Sequence, residues 1–318
     1  MHWLRNLAHR IASALLGLWL GTSSSAAELA YVTCQNGDGV SVLDLDGAGE
    51  IARWQVPGKP AGVAASAGAV FTVAADSKTV RRHDPATGNV LASIVLEGGP
   101  IGIAHDPARR RVFVSDWYNA RIWVLSDKGL QIETELETGA APAGIALSAD
   151  GRFLASADRD ADQVSVYDAE TLALHARLTV GTRPFGLSFA PDGRLFVGNV
   201  GSNDVTVIAA SADRIEATFD VGDRPYGIAF AKDRAFVTNQ YADSVSVVAL
   251  DTLQSQGTID SGEYPEGINA TQDGSRILVA NWFDNSVTMI DAETLAVLYS
   301  FETCDGPRAF GDFISGGN

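Results

Sequence analysis

Short apolar runs, broken by Gly, Pro, Asp and Asn, fill this chain, and one of them returns at nearly fixed spacing. It reads Arg224-Pro225-Tyr226-Gly227-Ile228-Ala229: a turn, then an apolar strand. Copies aligned on the proline start at Pro60, Pro100, Pro142, Pro184, Pro225 and Pro265, with a divergent one at Pro307, at intervals of 40, 42, 42, 41, 40 and 42 residues. A period in this range marks a solenoid, propeller or array. After each copy comes a turn, often Asp-Gly (Asp150-Gly151, Asp192-Gly193, Asp273-Gly274), then a second apolar strand such as Ala235 to Asn239. A polar loop follows, then an alternating strand (Val245-Ser246-Val247, Val287-Thr288-Met289), a turn and a fourth strand. Alternation, β-branched residues and Gly/Asp/Pro boundaries predict strands throughout. Four short strands per unit predict an all-β, seven-bladed propeller. A helical repeat fails because no window of the mature chain keeps apolar residues at i, i+3, i+4 and i+7. Val80-Arg81-Arg82 breaks the third-strand pattern and reads as an exposed edge or a local variation.

The ends predict how the ring closes. The repeat region begins at a second strand (Ala30 to Cys34) and finishes on a proline strand (Pro307 to Ile314). Together they make one blade with the C-terminal strand innermost, which removes an open edge. The two cysteines, Cys34 and Cys304, fall at the end of one of these strands and just before the start of the other. Antiparallel pairing brings both to one rim, where a disulfide is expected in an exported protein.

Residues 1–27 lie outside the repeat. Arg5 and Arg10, an apolar stretch from Ile11 to Leu20 too short to cross a bilayer, and Ser25-Ala26-Ala27 predict a removed signal peptide, a periplasmic protein and no membrane anchor. Residues 28–318 are then one domain, and a monomer is expected. Without those two arginines, 21 of 23 basic side chains remain against 39 acidic ones, a charge of −18. That field opposes binding to nucleic acid.

Tyr31-Val32-Thr33-Cys34 and Phe236-Val237-Thr238-Asn239, with Phe196 to Asn199 and Leu278 to Asn281, resemble the tetrapeptide that names the YVTN family of bacterial seven-bladed propellers, which includes YncE-like periplasmic proteins. The Arg-Pro-Tyr-Gly-Ile-Ala turn and Ala309 to Ile314 are similar to that family too, over roughly residues 29–315, whereas Ala155 to Asp158 and Phe71 to Ala74 depart from the tetrapeptide. The resemblance implies several possible roles: lactonase, amine dehydrogenase subunit, companion of quinone-cofactor alcohol oxidation, nucleic-acid binder, or binding protein of unknown ligand. One fold hosts them all, so a role has to come from the site.

Loops leaving second strands and loops entering proline strands share one face. Beside the prolines lie Lys59, Arg183, Phe185, Arg224, Tyr226, Tyr264, Glu266 and Arg308; the other loops bring Trp117, Tyr118, Arg159, Asp160, Tyr241, Trp282 and Phe283. Aromatic residues with arginines suit a protein partner or a small anionic ligand. The competing reading has the aromatics packing between blades and the arginines pairing with nearby acids. Asp116, Asp158, Asn199, Asn239 and Asn281 form a column expected to cap its own loops. Asp158-Arg159-Asp160-Ala161-Asp162 alternates acids but lacks the Gly and Glu of a calcium loop. His83, His105 and His175 are scattered over separate units and cannot assemble a three-His zinc site. Nucleophile-elbow, phosphate-loop and haem motifs are missing, so no metal or cofactor is predicted. Glu263, Glu266 and Asp312 fall near the pore mouth, where paired carboxylates would suit a lactonase-like hydrolase. The balance favours a binding or scaffold protein over an enzyme.

Overall fold

The computed structural model describes residues 28–315 apart from 48 and 67. The predicted leader lies outside the described residues. Seven four-stranded antiparallel sheets form a ring. Blade 1 combines Leu29–Cys34, Gly39–Asp44 and Gly49–Gln55 with the C-terminal Ile314–Ser315 as its innermost strand. Blades 2 to 7 begin at Pro60, Pro100, Pro142, Pro184, Pro225 and Pro265, each from inner strand to outer strand. A 3-10 turn, Arg159–Ala161, is the one helical element among the described residues.

The second strand carries most of the packing, and its tetrapeptide divides the work. The first position (Tyr31, Phe71, Phe113, Phe196, Phe236) is wholly buried between blades. The third joins blades: Thr238 Oγ1 accepts from Gly227 N–H (2.8 Å) and donates to Glu266 O on the next inner strand (2.9 Å). Ser115 repeats this between Gly102 and Ala143, and Thr33 does so between Ala309 and Ala61. The fourth position caps. Asp116 accepts from Gly99 N–H, Asp158 from Gly139 N–H and Asn239 from Gly222 N–H, at 2.8, 2.8 and 3.0 Å.

Inner strands lie so close that the glycine after the Pro-x pair in blades 2 to 7 has no room for a side chain. A Cβ on Gly186 would lie 1.8 Å from Tyr226 O, and one on Gly267 2.3 Å from Ala309 O.

Closure follows the prediction with one difference. Cys34 bridges to Pro307 and Ala30 pairs with Ile314, so the C-terminal segment does lie innermost. Between those points it is not a regular strand. It swings against blade 2, where Phe310 N–H donates to Ala61 O (3.1 Å) and Val63 N–H to Phe310 O (3.0 Å), a parallel contact that ties the last segment to the neighbouring blade as well. The Cys34–Cys304 disulfide is present, with Cα atoms 5.6 Å apart. It occupies the column where other blades use the capping hydrogen bond. Arg81 and Arg82 are half-buried on a third strand inside the sheet, not on an exposed edge.

Candidate functional site

Three columns of the repeat meet at the mouth of the central channel: the residue before each inner-strand proline, the one after it, and the one following the capping position. Aliphatic residues after the proline in blades 2 to 4 (Ala61, Ile101, Ala143) give way to Phe185, Tyr226, Glu266 and Arg308 in the others. The polar, aromatic side of the mouth is therefore made by blades 5, 6, 7 and 1.

Phe185, Tyr226 and Phe310 stack across the channel, with centroids 4.5, 5.2 and 5.7 Å apart. Below them a cavity of 330 Å³ runs between inner strands, lined largely by Gly, Ala, Ile and Leu. Above them a pocket of 300 Å³ opens on the face. Its floor is a buried polar network. Arg308 Nε lies 3.0 Å from Glu266 Oε2, its Nη2 donates to Tyr226 Oη (2.5 Å), and its Nη1 donates to Gln35 Oε1 (3.0 Å). Gln240 Nε2 donates to Glu266 Oε1 (2.7 Å). Burial pushes the Glu266 carboxyl above the usual carboxylate range, while Arg308 and Gln240 pull it back. Burial raises the Tyr226 phenol, which stays neutral. Tyr264, at the rim, is pushed up to about 12 by burial and by neighbouring Tyr241.

Arg224 lies over the Tyr241 ring at 4.3 Å and donates to its hydroxyl (2.8 Å). No carboxylate pairs with it among the described residues. Arg159, by contrast, is neutralised by Asp160. Tyr264, Trp282 and Phe283 form an aromatic wall, with centroids 4.7 to 5.6 Å apart. Trp117 packs on Phe185 at 6.1 Å on the other side. Arg224 Nε, Gln240 Oε1, Trp282 Nε1 and Glu266 Oε2 are buried without a hydrogen-bond partner, the last of them held only by its ion pair with Arg308. Orphaned buried groups are rare enough to require an explanation.

Of the predicted face residues, Trp117, Arg159, Phe185, Arg224, Tyr226, Tyr264, Glu266, Trp282 and Arg308 line this pocket. Tyr241 and Phe283 flank it, each more than half exposed. Tyr118, 76% exposed, covers Gly99 away from it. Arg183 is exposed outside the lining. Gln35 and Gln240 belong to the site although sequence reasoning passed over them. The signal was available: both directly follow the tetrapeptide, in the column of Trp117, Arg159 and Trp282.

The carboxylates do not come together. Glu263 is exposed on the rim, Glu266 is held by Arg308, and Asp312 lines the lower channel beside Asn269. His83 is bound to Thr72 and Gly88, and His105 packs on Phe71. Among the described residues no group of three His, Cys, Asp or Glu could hold a metal.

A family described as lactonase, seven-bladed β-propeller, matches residues 125–218. That stretch supplies Arg159 and Phe185 to the pocket but not Arg224, Gln240, Glu266 or Arg308. No curated protein matches the chain. Among solved structures, hydrazine synthase of Kuenenia stuttgartiensis is 16% identical, with a TM-score of 0.70 over 80% of this chain and 89% of that one. A functionally unknown protein from Desulfotomaculum acetoxidans DSM 771 is 12% identical, with a TM-score of 0.79 over 92% and 100%. The class is thus a seven-bladed β-propeller. At these identities the likeness shows the fold alone.

Proposed function

We propose that the protein is a binding component whose channel-mouth pocket captures a small anionic ligand or an anionic group on a protein partner. The observation that carries this reading is the set of partnerless polar atoms on Arg224, Gln240 and Trp282 around one pocket. Binding would satisfy them, and an Arg without a carboxylate partner suits an anion. The tetrapeptide and the Arg-Pro-Tyr-Gly turn support a YVTN, YncE-like affiliation. That resemblance also suggests a role beside a periplasmic redox or catabolic system. Export is supported by residues 1–27 and by a disulfide, which fits an oxidising compartment; no helix among the described residues is long and apolar enough to cross a membrane. Calorimetric screening of small anions should give ligands for the parent protein that Arg224→Ala loses at an unchanged thermal midpoint. Arg183→Ala should have little effect. Undiminished binding by Arg224→Ala would remove the proposal.

The second reading is a lactonase-like hydrolase, favoured by the family match and by Glu266, a carboxyl whose affinity for its proton is raised by burial. Its test is turnover of γ- and δ-lactones with and without chelator. Loss of all turnover in Glu266→Gln would support it, and the absence of turnover in the parent would end it. Nucleic-acid binding is opposed by the net charge.

A further inference from the structure

We infer that the channel-mouth pocket takes an aromatic monocarboxylate that carries one hydrogen-bond donor of its own, such as a phenolic hydroxyl. The inference rests on the binding reading above and goes further by specifying the ligand's chemistry.

Charge sets the first requirement. Arg308 is cancelled by Glu266 at 3.0 Å and Arg159 by Asp160 at 2.5 Å, while Arg224 has no acidic partner among the described residues. One positive charge is left, so one negative charge completes the site. Arg224 Nε is buried and unbonded, an N–H that a carboxylate oxygen would accept from.

Gln240 sets the second. Its amide orientation is dictated by Glu266, because the carboxylate oxygen 2.7 Å away accepts from the Nε2 side. Oε1 is therefore an acceptor, and it is buried with nothing donating to it. A ligand without a donor would leave it unsatisfied. Phosphate near pH 7 keeps a P–OH donor but has no apolar body, and much of it carries a second negative charge that the site does not match.

The walls set the third. Tyr264 and Trp282 stand on one side, with centroids 5.6 Å apart, and Trp117 packs against Phe185 on the other. Trp282 Nε1–H, also unbonded, adds a donor at the edge. Two aromatic walls favour a flat ring by offset or edge contact. The 300 Å³ volume is at the small end of ligand pockets.

Four probes separate these requirements by titration calorimetry: 4-hydroxybenzoate, benzoate, methyl 4-hydroxybenzoate and inorganic phosphate. Expected is saturable binding of 4-hydroxybenzoate, with benzoate about tenfold weaker for want of a donor and the methyl ester at least about tenfold weaker for want of charge. Phosphate should compete only weakly. Arg224→Gln should weaken the acid about tenfold and leave the ester unchanged, and Trp282→Phe, which removes the N–H and keeps the ring, should cost a few-fold. Equal affinity for acid and ester, equal affinity for phosphate and 4-hydroxybenzoate, or an indifferent Arg224→Gln would each overturn the assignment. If none of the probes binds, the ligand class is wrong. The wider binding reading would then survive only if Arg224→Ala still abolished capture of another anion or of a protein partner.

Discussion

Asp116 stands where blades 5, 6 and 7 carry Asn199, Asn239 and Asn281, and it does more than they do. It caps Gly99 N–H as they cap or line their own loops, and it also binds Asn119 and Arg121, the latter at 2.8 Å. Burial raises its pKa, but the bonds from Gly99, Asn119 and Arg121 outweigh burial, so the carboxyl is held below its usual range. A depressed carboxyl stabilises the fold above its unfolded pKa and loses that contribution as pH falls through the folded value. Asp116→Asn keeps the capping oxygen and loses the charge. It should cost about 1–2 kcal/mol near neutral pH, and the gap from the parent protein should narrow once pH drops below about 4. Urea unfolding at neutral and acidic pH reads this directly. A gap of the same size at both would mean that the charge contributes nothing. The capping column was legible because Asn and Asp recur at one phase of a long period. Which rim arginine would end in the pocket was not. Arg183 and Arg224 sit in almost identical Arg-Pro-aromatic-Gly turns, but the loop beside Arg183 is Val200-Gly201 and the loop beside Arg224 is Gln240-Tyr241. Only the second gives a guanidinium a ring to lie on and an oxygen to bond.

At the scale of the element, the inner strand is defined by its neighbour. Pro-x-Gly recurs in blades 2 to 7, with Ala309 in the glycine's place after Pro307, yet its cause lies one blade away, in a carbonyl that approaches the glycine too closely for a methyl group. The period exposes the motif without its reason, because the contact joins residues about forty positions apart. Gly186→Ala should destabilise by about 3 kcal/mol, since the obstacle is Tyr226 backbone and cannot rotate away. Gly68→Ala, where nothing lies near the added carbon, is the control. Equal midpoints for the two variants in thermal unfolding would refute tight inner-strand packing as the source of the motif. The same logic explains the tetrapeptide's third position. Thr238→Val would strand Gly227 N–H and Glu266 O, while the blades with Ala280 or Gly198 there never had the bridge. The irregular C-terminal segment was beyond sequence reading for a related cause. Its extra residues are absorbed by pairing with blade 2, a partner the repeat alone does not name.

For the ring as a whole, one blade differs from the other six, because there the first and last described strands, Leu29–Cys34 and Ile314–Ser315, pair with no turn between them. Elsewhere an inner strand is joined to its own second strand by a short turn; in blade 1 no such turn links Ser315 to Leu29, and the Cys34–Cys304 bond, 270 residues apart in sequence, ties the same two segments at the opposite rim. Ser41 Oγ accepts from Cys304 N–H, donates to Glu50 and lies 3.1 Å from Cys304 Sγ, so the bond sits within the polar cluster that Thr206, Ser246 and Thr288 help to build around Asn in other blades. A covalent link across so long a loop restricts the unfolded chain, by about 5 kcal/mol in the chain-entropy description. The other contacts at the seam are noncovalent, among them the hydrogen bonds from Arg308 N–H to Thr33 O, from Tyr31 N–H to Phe313 O and from Arg308 to Gln35. Reduction should therefore leave the wheel folded at room temperature but lower its urea midpoint, with blade 1 the first region to exchange amide hydrogens. The Cys34→Ser, Cys304→Ser double variant should match the reduced protein. Because Arg308 and Gln35 flank the bond and also support the pocket, loosening the seam should weaken ligand capture before the fold is lost. Two alkylatable thiols in unreduced protein, or a midpoint indifferent to reductant, would show that hydrogen bonds alone hold the ring closed.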